Sequence, residues 1–488
     1  MSNLRETYNW IDEFCDKKLT LPPATNRYIE IVFDDEKCGE NKAPEHAQFR
    51  TTLPFARTEC FAANFIDVKQ LINNDGDESI KNVYELTLQI KNKTIDYLPG
   101  DTVGILAQNS DEDINKIFQN NSELKAKSHE SLHLKLFTEK AEQKKVPKLP
   151  IYLPVCKTTL YQLFQECVDL YAFPKKTFLA ALVNYNCLNN VTERRFLEIL
   201  ASREGSSLYA TEILQRQTTF YMLLNRLQSW SFTVENVGIL FEHLPRLMPR
   251  PYSISNSPIA VSTSVYDQNS TILKIIFSLN SPPGITTSML QQLIFKFEVE
   301  RTLDSSNQFV NIYWRQSNRF QLTDEDLERP LIMIAIGTGV APFIGFLEHI
   351  QEHRKRNCTS KIPFTWLIFG SRHKMKQLCE HKLNEFLQNG TLSKLSECFS
   401  RDPNSNMKYV QDCVRNEDMQ IANFLVSDDE NRSGGKIFVC GNKKMSTDVR
   451  AAIEESLLKT DVCSATDDAK QIINEMIKSG QYIEDIWI

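Results

Sequence analysis

The sequence predicts a multidomain chain in which an antiparallel β-domain, interrupted by a helical block, precedes a doubly wound α/β domain. Three observations carry this expectation. Before Leu106 apolar residues alternate at period two, residues 157–244 change to helical spacing, and after Pro330 short apolar runs alternate with helical stretches. A length of 488 residues accommodates two or three domains and a large core.

The elements follow in order. Residues 1 to about 48 are polar and mixed, and Leu21-Pro22-Pro23 reads as an extended linker. Tyr84-Glu-Leu-Thr-Leu-Gln-Ile90 alternates as a half-buried strand does, and Tyr97-Leu-Pro-Gly100-Asp101 turns into Val103-Gly-Ile-Leu106. Glu139 to Lys148 is a lysine-rich surface stretch. Leu160–Leu170, Phe178–Val183 and Ile213–Trp230 carry the helical spacing, and strands return at Pro251–Ser255, Ala260–Tyr266 and Ile272–Leu279. Beyond Pro330 the expected order is strand Leu331–Ile336, a helix to about Glu352, strand Phe364–Phe369, helix Leu378–Leu387, strand Lys436–Cys440, and helices Thr447–Leu458 and Ala469–Ser479.

Composition excludes several classes. A net charge of −6 and the lack of a basic block argue against nucleic acid as a partner. The N-terminal residues lack the apolar core of a signal peptide. Pro330–Leu347 is uncharged over about the length of a membrane span, but its glycines, internal proline and strand–turn–helix reading assign it to a globular core. Twelve cysteines with no Cys-x-x-Cys pair give neither a disulfide framework nor a zinc ribbon. A soluble, cytoplasmic protein is expected, with no membrane partner.

Chemistry is most concentrated at Gly337-Thr338-Gly339. An apolar strand ends there, the glycines permit a tight turn and close ligand approach, and Pro342 suits the first turn of a following helix. Such a strand–turn–helix N-terminus suits a phosphate, although plain connections share the pattern. Arg250-Pro-Tyr252-Ser253 offers a guanidinium fork for a pyrophosphate, an aromatic face for a flat ring and a hydroxyl for its edge; a surface arginine beside a core tyrosine is the bland alternative. Pro283-Gly284-Ile285-Thr286-Thr287-Ser288 opens a helix over Met289–Leu293, either as a second phosphate site or as an ordinary N-cap. His349-Ile-Gln-Glu352-His353 fits an inverted zinc-protease pattern, but it follows the glycine turn on an expected surface helix, so no metal is assigned.

The order of the pieces gives them meaning. Arg250-Pro-Tyr-Ser253, Gly284-Ile-Thr-Thr-Ser288, Gly337-Thr-Gly-Val-Ala-Pro-Phe343, Gly370-Ser-Arg372, Ser400-Arg401, Tyr409-Val-Gln411, Val439-Cys-Gly441 and Asp485-Ile-Trp487 together resemble the NADPH-dependent diflavin reductases. The likeness runs from roughly Phe49 to the C-terminus. Phe369-Gly-Ser-Arg-His-Lys374, Phe399-Ser-Arg-Asp402 and Lys408-Tyr-Val-Gln-Asp412 are most similar to the methionine synthase reductase branch.

That resemblance implies an FAD-binding antiparallel β-barrel over 49–156 and 245–326, an inserted helical connecting domain over 157–244, and a ferredoxin reductase-like NADPH-binding domain over 327–488, after a linker-like segment 1–48. It implies that Arg250, Tyr252 and Ser253 hold FAD, with Tyr252 against the ring system, and that Gly284, Ile285, Thr286 and Thr287 contact its pyrophosphate. Gly337, Thr338 and Gly339 would take the NADPH pyrophosphate, and Ser400, Arg401, Tyr409 and Gln411 its adenosine end and 2′-phosphate. Trp487 would stack on the flavin and move aside for nicotinamide. Ser253, Cys440 and Asp485 are the matching polar set beside the hydride path, where they would stabilise developing charge.

Departures from the family pattern are Asn442 for an aspartate, Ser371 for a cysteine, Ile488 for a terminal serine, and Met407-Lys408 near a phosphate-binding lysine. About 48 residues precede the β-domain, too few for a flavodoxin-like domain, so FMN is not expected on this chain. The implied electron acceptor is a flavodoxin-like FMN protein or methionine synthase. A general NADPH–cytochrome or ferredoxin-type reductase, or a catalytically silent interaction protein on the same scaffold, are the alternatives.

Overall fold

A computed structural model describes residues 4–14, 16–23, 27–34, 46–77, 80–137, 148–155, 157–260, 269–279, 284–301, 308–316, 319–357, 364–374, 377–425 and 434–487. Most of the expected strand Ala260–Tyr266, nearly all of Glu139–Lys148, Pro283 and Ile488 lie outside these residues. The chain divides into two compact units, Met1–Pro54 with Leu106–Pro249, and Phe55–Ile105 with Arg250–Ile488.

The first unit is helical around one apolar core. Its helices include Asp111–Phe118, Leu160–Glu166, Lys176–Asn184, Val191–Ala201, Phe220–Arg226 and Gly238–His243. Phe164 and Phe241 stack at 4.8 Å in that core. The Ile213–Trp230 stretch is not one helix. A π-helical turn over Ala210–Gln215 ends in Gln217 at φ 52°, and Thr219 starts a new helix by accepting the Met222 N–H. The segment read as linker also joins this unit: Ile29–Phe33 pairs antiparallel with Ser131–Leu136, and Tyr8, Ile11 and Phe14 are buried. Its apolar residues are few, but Tyr8 and Trp10 pack on Phe196 at 5.1 and 5.4 Å, which is enough to anchor a short helical stretch. Within the same unit the buried Glu166 accepts the Ala47 N–H at 2.6 Å and lies 3.7 Å from His46. Burial drives Glu166 up to about 7 and His46 down to about 4.

The second unit holds two sheets. Six antiparallel strands lie in the order Arg250–Ser253, Thr102–Ile105, Phe309–Trp314, Phe61–Ile72, Val83–Ile90 and Thr271–Ser278. Ile254 and Ile275 form a bridge between the two outer strands' ends of this order, and Ser255 N–H donates to the Lys274 carbonyl at 2.8 Å. Alternation explains the core here: Leu86, Leu88, Leu273, Ile275 and Trp314 face inward and meet Leu290, Ile294 and Phe297 from the helix Ile285–Arg301. That helix starts four residues before the expected Met289.

Five parallel strands form the second sheet, in the order Lys394–Phe399, Thr365–Ser371, Leu331–Ile336, Lys436–Asn442 and Tyr482–Trp487. Both faces are covered. Leu331, Met333 and Ala335 pack with Phe343, Phe346 and Leu347, while Ile332 and Ile334 pack with Val410, Val414, Val449 and Ile453. This is why Leu331–Ile336 reads as a continuous apolar run. The strand Tyr482–Trp487 is not legible in the sequence, because Glu484 and Asp485 interrupt the apolar pattern and, among the described residues, only one side of it is paired. No helix of the described residues is long and apolar enough to cross a membrane.

Candidate functional site

The central strand Leu331–Ile336 has Thr365–Ser371 on one side and Lys436–Asn442 on the other, so chain order reverses beside it. In open α/β sheets this reversal opens a crevice at the strands' carboxyl ends, where ligands bind. Gly337, Thr338, Gly339 and Val340 form a single 3₁₀ turn there, and the helix Ala341–Arg356 follows with Pro342 in its first turn and no side-chain cap. Gly337 adopts φ 52°, and a Cβ on it would meet open space. At Gly339 a Cβ would lie 2.4 Å from the Cys440 carbonyl oxygen and 2.8 Å from the Trp487 ring. One glycine is needed for its backbone angle, the other for close packing.

A cavity of about 800 Å³ opens over this turn, within the range of small-molecule sites. Gly337, Thr338, Ser400, Tyr409, Gln411 and Trp487 all line it. The strand ends hold them there. Ser400 N–H donates to the Ser371 carbonyl at 3.0 Å, and Tyr409 N–H donates to Asp412 at 2.9 Å as its helix begins. Tyr409 is 53% exposed and Trp487 41% exposed, so two aromatic faces remain open to a planar ligand. Arg401 is not among the lining residues; its side chain is exposed, and its N–H donates to the Arg372 carbonyl at 2.9 Å.

Four cations complete the cavity, of which Lys81 and Lys444 lie outside the sequence motifs. Lys81, Arg372, Lys408 and Lys444 line it with one carboxylate, Asp448. Partial desolvation and the charge of Arg372 together lower the Lys81 pKa, which marks two cations facing the same space. Lys444 pairs with Asp448 at 2.7 Å, and Gln411 donates to Asp448 at 3.4 Å. Lys81 comes from the segment before strand Val83–Ile90, far from the glycine turn in sequence, so no local motif could reveal it. A polyanion such as a dinucleotide fits this lining, through charge-assisted contacts of about 1.5–3 kcal/mol each.

The polar set expected beside the hydride path comes together in part. Ser253 Oγ donates to Asp485 Oδ2 at 3.3 Å, and Cys440 stands opposite Asp485 in the parallel register. Burial, reinforced by the Asp485 charge, holds Cys440 well above the ordinary thiol range, so it is a neutral thiol at physiological pH. Arg250 is exposed on its strand, and Tyr252 packs edge-on against Phe277 at 6.2 Å. Burial raises the Tyr252 pKa to about 12, keeping its hydroxyl protonated. At the start of helix Ile285–Arg301, Thr287 Oγ1 donates to the Gly284 carbonyl at 3.0 Å. The Thr286 hydroxyl is buried with no hydrogen-bond partner among the described residues. An orphaned buried donor of this kind fits a ligand oxygen. In the His349-to-His353 motif, His349 Nδ1 lies 3.0 Å from Ser257 Oγ and His353 Nε2 lies 2.9 Å from the Asn357 amide; no group of residues suited to a metal occurs among the described residues.

Comparison with known proteins agrees with this architecture. Residues 53–266 match the FAD binding domain family and residues 333–451 match the oxidoreductase NAD-binding domain family. The chain is 29% identical to methionine synthase reductase of Rattus norvegicus, over 98% of this chain and 67% of that protein. It is 30% identical to the Homo sapiens methionine synthase reductase, over 96% of this chain and 66% of that protein. It is also 28% identical to NADPH–cytochrome P450 reductase of Musca domestica, over 68% of this chain and 46% of that one. The chain thus spans about two thirds of the length of the methionine synthase reductases it matches. The two nucleotide-binding modules and the cavity at the sheet's switch point define an NADPH-dependent flavin oxidoreductase with FAD as its flavin. Within that class the chain belongs to the NADPH-dependent diflavin reductase family.

Proposed function

We propose that this chain draws electrons from NADPH into FAD and delivers them to an acceptor in the reductive reactivation of cobalamin-dependent methionine synthase, directly or through a flavodoxin-like FMN protein. The observation that carries the reading is the convergence of Gly337, Ser400, Tyr409 and Trp487 on one cation-lined cavity. Its extent of similarity to methionine synthase reductases, along nearly the whole chain, favours that acceptor over a cytochrome. The domains proposed for it are a closed FAD-binding barrel, with the Ile254–Ile275 bridge at its seam, and a helical connecting domain inserted over 157–244.

Bound FAD supplies the redox chemistry, accepting hydride from NADPH and releasing electrons singly. The chain's own residues bind and orient. Lys81 and Arg372 neutralise phosphate charge, Ser400 recognises the 2′-phosphate, and Gly337–Gly339 let the backbone approach the pyrophosphate. Arg250 and the orphaned Thr286 hydroxyl serve the FAD phosphates, and Tyr252 its ring. Trp487, half-exposed at the cavity, would cover the flavin ring and yield its place to nicotinamide. Cys440 keeps its proton and Asp485 takes the Ser253 hydrogen bond, so a neutral thiol and a carboxylate would be available to stabilise charge beside the bound cofactors.

The test is stopped-flow reduction of the purified flavoprotein by NADPH with ferricyanide as acceptor, followed by addition of a flavodoxin-like protein and methionine synthase. Flavin reduction and methionine synthase reactivation are expected. Flavin reduction without any reactivation, alongside rapid cytochrome reduction, would overturn the acceptor assignment.

A further inference from the structure

The strand that carries Asp485 and Trp487 is held by a single ladder among the described residues. Among the described residues Tyr482–Trp487 lies at the sheet edge and pairs only with Lys436–Asn442, ending at Asn442–Trp487. A strand at a sheet edge opens more readily than a central one unless something else fixes it. Side chains alternate along it. Ile483 packs with Phe438 and Cys440 on one face, while Tyr482 and Ile486 pack with helix Lys443–Lys459 and its neighbours on the other. Glu484 shares that second face. Its carboxylate accepts Arg450 Nε at 2.9 Å, Ser446 Oγ at 2.7 Å and the Tyr482 hydroxyl at 2.9 Å, and Arg450 Nη2 closes a second bond to it. Burial opposes ionisation of Glu484, but the bonds from Arg450, Ser446 and Tyr482 outweigh it and hold its pKa below the ordinary range.

We infer that Ser446 and Arg450 clamp Glu484 to hold the terminal strand in register, making them positioning residues for Asp485 and Trp487. The clamp sits on the same helix that presents Lys444 and Asp448 to the cavity, so one rigid element sets both the cation lining and the strand end. A bidentate guanidinium–carboxylate pair fixes direction as well as distance, which a lone ladder at an edge does not. Only Asp485 and Ile486 separate Glu484 from Trp487, so a slip at the clamp reaches the indole and, through Trp487 against Gly339, the nucleotide turn. The inference rests on the proposed roles of Asp485 and Trp487 in the hydride path.

The test uses the full-length holoprotein with Arg450→Met, Glu484→Gln and the exchanged pair Arg450→Glu/Glu484→Arg. Amide hydrogen exchange over Asp485–Trp487 is expected to quicken about tenfold or more in both single variants, with strand Leu331–Ile336 unchanged. The rate of flavin reduction by saturating NADPH is expected to fall on the order of tenfold to a hundredfold. Arg450→Lys should recover part of both effects, and the exchanged pair most of them. Unchanged exchange, or faster exchange with an unchanged reduction rate, overturns the clamp. Asp485→Asn and Trp487→Ala separate the two readings: normal flavin reduction in those variants removes the site assignment itself, whereas normal behaviour confined to the Arg450 and Glu484 variants removes only the clamp.

Discussion

Gly339→Ala is the sharpest perturbation of the nucleotide turn. The added methyl would lie 2.4 Å from the Cys440 carbonyl oxygen and 2.8 Å from the Trp487 ring, where ordinary contact begins near 3.4 Å. Strand Lys436–Asn442 or the turn must therefore yield by about 1 Å, since the nearest obstacle is backbone and cannot rotate away. Overpacking of this kind costs about 1–3 kcal/mol of stability. A misplacement of about 1 Å at a reacting centre costs on the order of a hundredfold in rate. Gly337→Ala is the control: its methyl meets open space, and only the φ of 52° is penalised, by about 1 kcal/mol. Stopped-flow flavin reduction and thermal unfolding should show Gly339→Ala with a much slower reduction and a lowered Tm, whereas Gly337→Ala, whose methyl enters the ligand cavity, serves as a control for Tm alone and should lower it only modestly. If Gly339→Ala reduces flavin at the wild-type rate and keeps the wild-type Tm, the packing argument is refuted.

Lys81→Met removes one cation from the cavity and should weaken NADP⁺ binding about ten- to hundredfold, with a shallower salt dependence, measured by calorimetry at two ionic strengths. Trp487→Ala should narrow the preference for NADPH over NADH, because the proposed indole shield must be displaced by either nicotinamide; an unchanged kcat/KM ratio would count against that role. The pair His46 and Glu166 gives opposing pH effects in the helical unit. Glu166, raised from 4.5 to about 7, contributes stability that is lost as pH rises through that window, whereas His46, lowered from 6.5 to about 4, contributes stability that is lost as pH falls through its own. The two slopes oppose each other between about pH 4.5 and 6.5. Glu166→Gln should therefore leave stability that only rises with pH there, read by urea denaturation across pH 4–8; a profile identical to wild type would refute the assignment.

Much of this architecture was legible because its signals are local. The apolar run Leu331–Ile336, its glycine turn and Pro342 form one uninterrupted stretch, and burial on both sheet faces leaves no polar residue to obscure it. The motif residues Ser400, Tyr409 and Gln411 also reached the same cavity, although sequence spacing alone does not bring them there. What escaped depends on contacts distant in sequence. Lys81 enters the cavity from the segment that precedes strand Val83–Ile90 of the other sheet, and strand Ile29–Phe33 finds its partner Ser131–Leu136 about a hundred residues away. The break at Gln217 and Thr219 escaped because apolar spacing continues through it, and a capping threonine is a weaker signal than the period it interrupts.

Gly339, Cys440 and Trp487 belong to three different strands or turns of the parallel sheet, yet each constrains the others. The absence of a Cβ at Gly339 lets the Cys440 carbonyl and the indole close on the turn, and the register that sets Cys440 opposite Asp485 also sets Asn442 opposite Trp487. A thiol, a carboxylate and an aromatic ring are therefore positioned by backbone pairing rather than by flexible side chains. Pairing of this kind moves as a unit: a shift of one residue would reverse the strand's faces, sending Asp485 and Trp487 into the helix layer and Glu484 toward the site. Register is thus the variable on which the proposed chemistry depends most, and the bonds that Glu484 makes to helix Lys443–Lys459 are where the sequence specifies it beyond the ladder itself.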